Sequence, residues 1–224
     1  MNTDYTIEYS NRKTLAIFVE RDKSIVVKAP IGTPQEKIDD FVTRKKYWIY
    51  KKLKNPQKFK LKRKKEFVSG ASILFLGTSY RLDVVDEKID GITFDNTKFV
   101  ISRNNQKNAY NYFKSWYRKK AEEIITPKVD YYANNLGVEY NQIKISHMEY
   151  RWGSCTPKNN LNFNWRLIKA PMFVIEYVIV HELAHFLESN HTSNFWNIVG
   201  TQVPKYLTAK NWLREYGEQL YIDF

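Results

Sequence analysis

The chain of 224 residues is 43% hydrophobic, 27% charged and 16% aromatic, which excludes a disordered chain and suffices for one domain or two small ones. It carries 36 Lys and Arg against 24 Asp and Glu, and the resulting net charge of +12 favours anionic partners. The excess is local, because 12 basic residues and no acidic residue lie between Phe41 and Lys65.

The cysteine content and the apolar segments indicate the compartment in which the protein works. The single cysteine, Cys155, excludes an intramolecular disulfide, and residues 1–10 lack the apolar run of a signal peptide. The longest apolar stretches, such as residues 172–180, are much shorter than the roughly 20 residues that a membrane-spanning helix needs. We therefore expect a soluble, cytoplasmic protein with no membrane partner.

The chain begins with a predicted hairpin and helix. Segments 14–20 and 24–29 are rich in β-branched residues and are separated by polar residues, which predicts a β-hairpin. Thr33 is then a suitable N-cap, and Pro34 suits the first position of a helix. Apolar residues at helical spacing extend this predicted single helix to about Asn55–Pro56.

The polar face of this helix and the lysine-rich tail behind it form the basic segment, residues 41–65. Short β-segments punctuated by glycines follow at 73–76, 80–85 and 98–101. The pattern changes near residue 103. We therefore expect a β-rich N-terminal region with one basic helix over residues 1–102, and a second domain over residues 103–224.

The second domain is predicted to mix helices and strands. An apolar stripe from Phe113 to Ile125 predicts a helix that Pro127 kinks or divides and that Gly137 ends. Segments 143–152 and 161–166 alternate around a turn-rich connector, which predicts a second hairpin. The whole pattern is typical of an α+β fold.

The most apolar predicted helix, residues 172–188, contains the pattern H-E-x-x-H at His181, Glu182 and His185. Residues four apart share a helix face, so two imidazoles can hold one tetrahedral metal ion with the glutamate beside its bound water. His191 supplies a third nitrogen ligand. The alternative is a chance arrangement of packed histidines, but unpaired polar groups in an apolar helix are costly.

The spacing of the third histidine is that of the metzincin proteases, yet two features of that group are missing. Glu188 stands where metzincins have a glycine, and no methionine follows Met172, so a downstream Met-turn is excluded. Ser189 and Asn190 must therefore make the turn, and asparagine at position 190 tolerates a left-handed conformation.

An ordered series of motifs around H-E-x-x-H resembles the YgjP-like metal-dependent hydrolases, relatives of the SprT and Wss-type zinc proteases. The resemblance covers most of the chain and rests on Phe67–Gly70, Phe75–Gly77, Tyr80–Leu82, Arg151–Cys155, Asn164–Leu167, Ala170–Pro171, Tyr177–His185, Asn190–His191 and Phe195–Trp196.

This resemblance implies a zincin-like minimal metallopeptidase fold for the second domain. It implies one divalent ion per chain, zinc, on His181, His185 and His191, with Glu182 as the general base. It leaves the reaction class open, because both metallopeptidase and nucleotide pyrophosphohydrolase activities are associated with the family. A polypeptide substrate is our first expectation.

Several assignments remain alternatives at this stage. Arg151 either binds a substrate carboxylate or phosphate, stabilises an oxyanion, or forms a structural ion pair. The basic segment is either a nucleic-acid or nucleotide site or a solvated face. A non-enzymatic hypothesis makes the zinc structural in a nucleic-acid-binding module. Cys155 as a nucleophile and His147 as a ligand are disfavoured, and the aromatic residues after His191 are expected to be core.

Overall fold

The computed structural model describes residues 4–20, 22–54, 65–149 and 151–222. Its contacts divide the chain into two compact units, Met1–Lys62 and Arg63–Phe224, each with its own hydrophobic core. Within the described residues no helix has the length and apolarity needed to cross a membrane.

The division at residues 62 and 63 does not coincide with the expected boundary at residues 102 and 103. Leu82, Phe99 and Ile101, which precede the expected boundary, are fully buried in the same cluster as Phe113 and Tyr117, which follow it. The change of pattern near residue 103 marks the passage from strand to helix inside one core.

The smaller unit contains a three-stranded sheet of order β1-β3-β2, with β1 (Thr6–Ser10), β2 (Ala16–Val19) and β3 (Ile25–Pro30). The antiparallel pair β2 and β3 confirms the predicted hairpin. Strand β1, parallel to β3, was not predicted because it is mostly exposed and only Ile7 and Tyr9 alternate in it.

Two helices, α1 (Gln35–Arg44) and α2 (Lys46–Leu53), replace the predicted single helix. The helical conformation is interrupted at Lys45, which ends α1 and precedes α2 and whose ψ of 3° is not helical. The predicted cap is also wrong, because the Thr33 hydroxyl donates to the Pro30 carbonyl and Pro34 occupies the N-cap position. The predicted helix end and lysine-rich tail fall on residues 55–64, outside the described residues.

The larger unit begins with a four-stranded sheet of order β4-β5-β7-β6. Its strands are β4 (Ser72–Phe75), β5 (Thr78–Val85), β6 (Ile92–Phe94) and β7 (Lys98–Ser102), and β6 is the strand that the sequence did not predict. One side of this sheet packs on α3 (Ala109–Leu136). The helix ends at Gly137, whose φ is 65°, as predicted, but it continues through Pro127, so the division considered at that residue does not occur.

A second, three-stranded sheet has the order β8-β10-β9, from β8 (Gln142–Ser146), β9 (Gly153–Cys155) and β10 (Asn160–Asn164). Strands β9 and β10 form a hairpin, but β8 is parallel to β10. The predicted first strand, 143–152, is therefore wrong: it comprises β8 and a connector. Among the described strands β9 pairs only with β10, which leaves its other edge open.

The buried centre of the larger unit is α4 (Met172–Ala184), which ends four residues before the predicted end at 188. Helices α3, α5 (Ser193–Gln202) and α6 (Tyr206–Tyr216) and strand β9 contact it, and α7 (Gln219–Ile222) closes the described chain. The described residues thus contain seven α-helices, two short 3-10 helices (Arg103–Asn108 and Trp165–Lys169) and three small sheets, which confirms the α+β class.

Candidate metal centre and its surroundings

Helix α4 places His181 and Glu182 in its last turn, and His185 follows at its C-cap. Helices α3, α5 and α6 and strand β9 surround α4, so most of its side chains are buried. This burial explains why the helix is apolar on almost every side. Polar side chains in such surroundings need partners. Those of His181, Glu182 and His185 all face one cavity of about 730 Å³.

Three histidines converge at this cavity. One nitrogen of each of His181, His185 and His191 lies within 4.8 Å of the other two, and Nε2 of His181 is 3.1 Å from Nε2 of His191. Burial, with the neighbouring histidines and Lys210, lowers the pKa of His181 to about 3, and burial also lowers that of His191. Neutral, converging imidazole nitrogens are the donor set that a tetrahedral divalent metal requires.

The turn that returns His191 to the cluster lies at Ser189 and Asn190, as expected. Asn190 is not among the non-glycine residues with positive φ in the described chain, so the turn does not use the left-handed conformation that asparagine tolerates. Instead the Asn190 N–H donates to the Glu188 carboxylate at 3.2 Å, and the Thr192 N–H donates to the Asn190 carbonyl at 2.8 Å. The Glu188 side chain thus stabilises this turn from the position where metzincins have glycine.

Aromatic rings of α5 and α6 support the histidines. The fully buried Phe195 ring lies 5.0 Å from that of His181 and 4.7 Å from those of His185 and His191. Trp196 stacks on His191 at 5.6 Å and on Tyr206 at 5.3 Å. These residues pack as expected, but they also orient the imidazoles.

Strand β9 holds Glu182. A Cβ atom at Gly153 would lie 2.7 Å from Cγ and 2.8 Å from Oε1 of Glu182, so only glycine leaves room for this side chain. The backbone N–H of Cys155 donates to the same carboxylate. Burial raises the pKa of Glu182 to about 7, while the charge of Arg151 and the Cys155 N–H oppose the shift.

Arg151 also lines the cavity and is exposed. Its charge acts on Glu182, yet no carboxylate lies within ion-pair distance of its guanidinium in the described part of the chain. This observation disfavours the structural ion pair that the sequence left open. The guanidinium is free to contact a bound molecule.

Two residues that sequence reasoning had set aside lie in different surroundings. Cys155 lines the cavity, but burial and the charge of Glu182 raise the pKa of its thiol, which opposes a role as nucleophile. His147 is outside the histidine cluster, and its Nδ1 lies 2.7 Å from Nη1 of the buried Arg166.

Sequence reasoning gave no role to Tyr177 or Lys210, which lie close to the histidines. Tyr177 lines the cavity, with its ring 5.7 Å from that of His181, and its position one turn before His181 was a usable signal. Lys210 holds its ammonium 4.0 Å from the centre of the Trp196 ring and acts electrostatically on His181 and His191. No sequence pattern connects it with the motif.

Two solved structures resemble parts of the chain. The metallopeptidase zymogen abylysin of Pyrococcus abyssi is 15% identical, with a TM-score of 0.35 over 41% of this chain and 94% of its own. The metallopeptidase zymogen jannalysin of Methanocaldococcus jannaschii is 24% identical, with a TM-score of 0.35 over 40% of this chain and 96% of its own. No curated protein matches the chain.

The family comparison covers far more of the sequence. The family model described as YgjP-like, metallopeptidase domain, matches residues 13–216, which include strands β2 to β10, the histidine cluster, Glu182 and Arg151. A metal-dependent hydrolase is the activity class of this family, and the chain belongs to the YgjP-like metallopeptidase family.

Proposed function

We propose that this protein is a zinc-dependent peptidase in which Glu182 is the general base. The observation that carries the proposal is the convergence of three histidine nitrogens beside a buried carboxylate in one open cavity. Membership of a metallopeptidase family supports it.

His181, His185 and His191 would hold the ion. Zinc bound there supplies a Lewis acid that polarises a scissile carbonyl and acidifies water. Three protein ligands leave one tetrahedral position open, which is typical of catalytic sites, whereas structural zinc sites are closed by four. The donor set therefore favours catalysis over the alternative of a structural ion.

Glu182 has the surroundings of a proton carrier. Glu182 is 8% exposed, and its side chain lies against Gly153 of β9 and accepts a hydrogen bond from the Cys155 N–H. In the proposed reaction a carboxylate oxygen of Glu182 takes a proton from the attacking water and passes it to the leaving amine nitrogen.

The open edge of β9 supports a peptide substrate. The Thr156 N–H donates to the Asn160 carbonyl and the Asn164 N–H donates to the Trp152 carbonyl, so alternation turns the backbone groups of Gly153 and Cys155 away from β10. The Cys155 N–H donates to Glu182, so the groups that can pair with a substrate are the Cys155 carbonyl and the N–H and carbonyl of Gly153. Both residues also line the cavity. An extended polypeptide can add to such an edge through backbone hydrogen bonds.

Arg151 favours a second candidate, hydrolysis of a nucleotide phosphoanhydride. An exposed guanidinium at the cavity without an ion-pair partner in the described chain suits a phosphate as well as a peptide carboxylate. No G-x-x-x-x-G-K-[ST] loop is present, so phosphates would depend on side chains and metal. The backbone edge of β9 places this candidate second.

Replacement of Glu182 by Gln tests the proposal. We expect zinc binding to be retained and cleavage of an unfolded polypeptide to fall by about 100-fold or more, because the proton carrier is lost. Zinc content and peptide release are measured on the zinc-loaded protein. Glu188→Gln is the matched control, since the amide oxygen still accepts from the Asn190 N–H.

Two outcomes would contradict the proposal. Full peptidase activity in Glu182→Gln would remove the glutamate from the mechanism. Glu182-dependent release of pyrophosphate or phosphate from a nucleoside triphosphate, with the polypeptide left intact, would establish the second candidate instead.

A further inference from the structure

Helix α2 exposes three aromatic rings in four consecutive residues. Tyr47 is 67%, Trp48 40% and Tyr50 43% exposed, while Ile49 and Leu53 attach the helix to the core of the smaller unit. Single exposed apolar residues are ordinary on protein surfaces, but a cluster of large rings marks an interaction site.

Each of these rings has a lysine one turn further along the helix. The ammonium groups lie 4.6 Å, 5.5 Å and 4.9 Å from the ring centres in the pairs Lys51 with Tyr47, Lys52 with Trp48, and Lys54 with Tyr50. We refer to these six residues as the lysine–aromatic face.

The charge of this face is not neutralised locally. Its three lysines are exposed, and none has a carboxylate within ion-pair distance in the described chain. The sequence offers no acidic residue from Phe41 to Lys65. The complementary partner is therefore a polyanion.

We propose that the lysine–aromatic face binds single-stranded nucleic acid. An unpaired base stacks on an exposed ring, and the lysine at that ring reaches the adjoining phosphate. A duplex satisfies only the lysines, because its bases are already stacked on each other. An acidic peptide likewise gives the rings no flat partner.

An anionic membrane surface fits this helix less well. Helices that lie in a membrane interface insert an apolar face below the headgroups. The apolar residues of α2, Ile49 and Leu53, pack inside the smaller unit and are not free to insert. The available surface is therefore one of rings and ammonium groups.

This inference goes beyond the proposed peptidase function and does not depend on it. The face belongs to the smaller unit, whereas the histidine cluster and Glu182 belong to the larger one. Variants of the face are therefore expected to retain the basal cleavage of an unfolded polypeptide.

The charge contribution is tested with the full chain and a labelled oligothymidylate of about 20 nucleotides, by fluorescence anisotropy over a range of salt concentrations. The triple variant Lys51→Gln, Lys52→Gln, Lys54→Gln should bind more weakly. The slope of log affinity against log salt should fall by about 2, because each phosphate that a lysine neutralises on a single strand contributes about 0.7 to the slope.

A matched triple variant controls for net charge. It changes three exposed lysines of the larger unit in the same way: Lys88→Gln, Lys107→Gln and Lys119→Gln. This control should keep the affinity and the salt slope of the unchanged protein. Equal losses in the two triple variants would overturn the proposal, because the effect would then come from total charge.

The stacking contribution is tested with Trp48→Ala and Trp48→Phe. Trp48→Ala should weaken oligothymidylate binding by about 10-fold, because the ring is lost. Trp48→Phe should keep most of the affinity, and the salt slope should be unchanged in both variants. Failure to bind the oligonucleotide, equal affinity for a duplex of the same length, or binding to anionic vesicles without oligonucleotide binding would each overturn the proposal.

Discussion

Different contacts hold the three histidines of the cluster. His181 is fixed by the buried helix α4, whereas His191 follows a turn stabilised by Glu188 and rests against Trp196. The fourth histidine of the chain, His147, contacts Arg166 and takes no part in the cluster. Replacing His191 and replacing His147 should therefore affect the affinity for zinc differently.

His191→Ala should weaken zinc binding by at least about 100-fold, because losing only a partner of a metal ligand already costs about 10–100-fold. His147→Gln, which keeps an acceptor for Arg166, should leave the affinity unchanged. Competition with a chelator of known affinity measures both. Equal affinities in the two variants would remove His191 from the proposed ligand set.

Gly153→Ala should lower kcat by about 10- to 100-fold while zinc affinity stays within a few-fold of normal. The added methyl meets Glu182 at 2.7 Å and displaces its carboxylate, and a misplacement of about 1 Å at a reacting group is costly. Steady-state kinetics and chelator competition separate the two effects.

Gly200→Ala is the matched control for this change. Its Cβ would meet nothing closer than 3.4 Å, at the Tyr206 ring, and alanine suits helix α5 better than glycine. We expect normal kcat there. A normal kcat in Gly153→Ala as well would show that β9 does not position Glu182.

At the scale of elements, α3 shows how packing outweighs a local signal. Its buried residues recur along one face from Ala109 to Ala133, and this face packs against the four-stranded sheet, β8 and α4. Pro127 is exposed on the opposite side and has no N–H to donate to the Glu123 carbonyl. The helix therefore continues through a residue that normally ends one.

Pro127→Ala should raise the free energy of unfolding by about 2 kcal/mol, since an interior proline costs about 3 kcal/mol and its restriction of the unfolded chain returns about 1. Urea denaturation measures the change. Ser115→Ala, at an exposed site of the same helix, controls for alanine propensity and should give a much smaller gain. No difference between the two variants would contradict the prediction.

Short strands were the elements least accessible to prediction. Strand β1 is exposed along most of its length, and β6 has only three residues at the edge of its sheet. Neither contains enough alternating apolar residues for a local signal. They form because β3, which also pairs with β2, and β7, which also pairs with β5, offer them backbone hydrogen bonds.

At the scale of the whole molecule, the described residues form two separate hydrophobic cores. Ile38, Val42 and Ile49 of the smaller unit belong to one, and α3 and α4 contribute to the other. All three proposed metal ligands lie in the larger unit. Metal binding should therefore stabilise the two units unequally.

Zinc at 100 times its dissociation constant should stabilise the larger unit by about 2.7 kcal/mol. Hydrogen exchange should show slower exchange in α4 and unchanged exchange in β2 and β3. Removal of zinc by a chelator should reverse the effect. An equal change in both units would show that they unfold as one cooperative structure.

The sequence alone determined the features that depend on spacing within one element or between two elements that are neighbours in the sequence. The positions of His181, Glu182 and His185 on one helix face, the hairpin of β2 and β3 and the end of α3 at Gly137 all follow from local periodicity and backbone preference.

Only the tertiary structure decided the contacts between elements. The fit of Glu182 against Gly153, the support of His191 by Trp196 and the burial of β7 with α3 join residues from different elements in one core. Periodicity tells which side of an element is buried but does not tell what covers it, because that depends on how all the elements fill the core together.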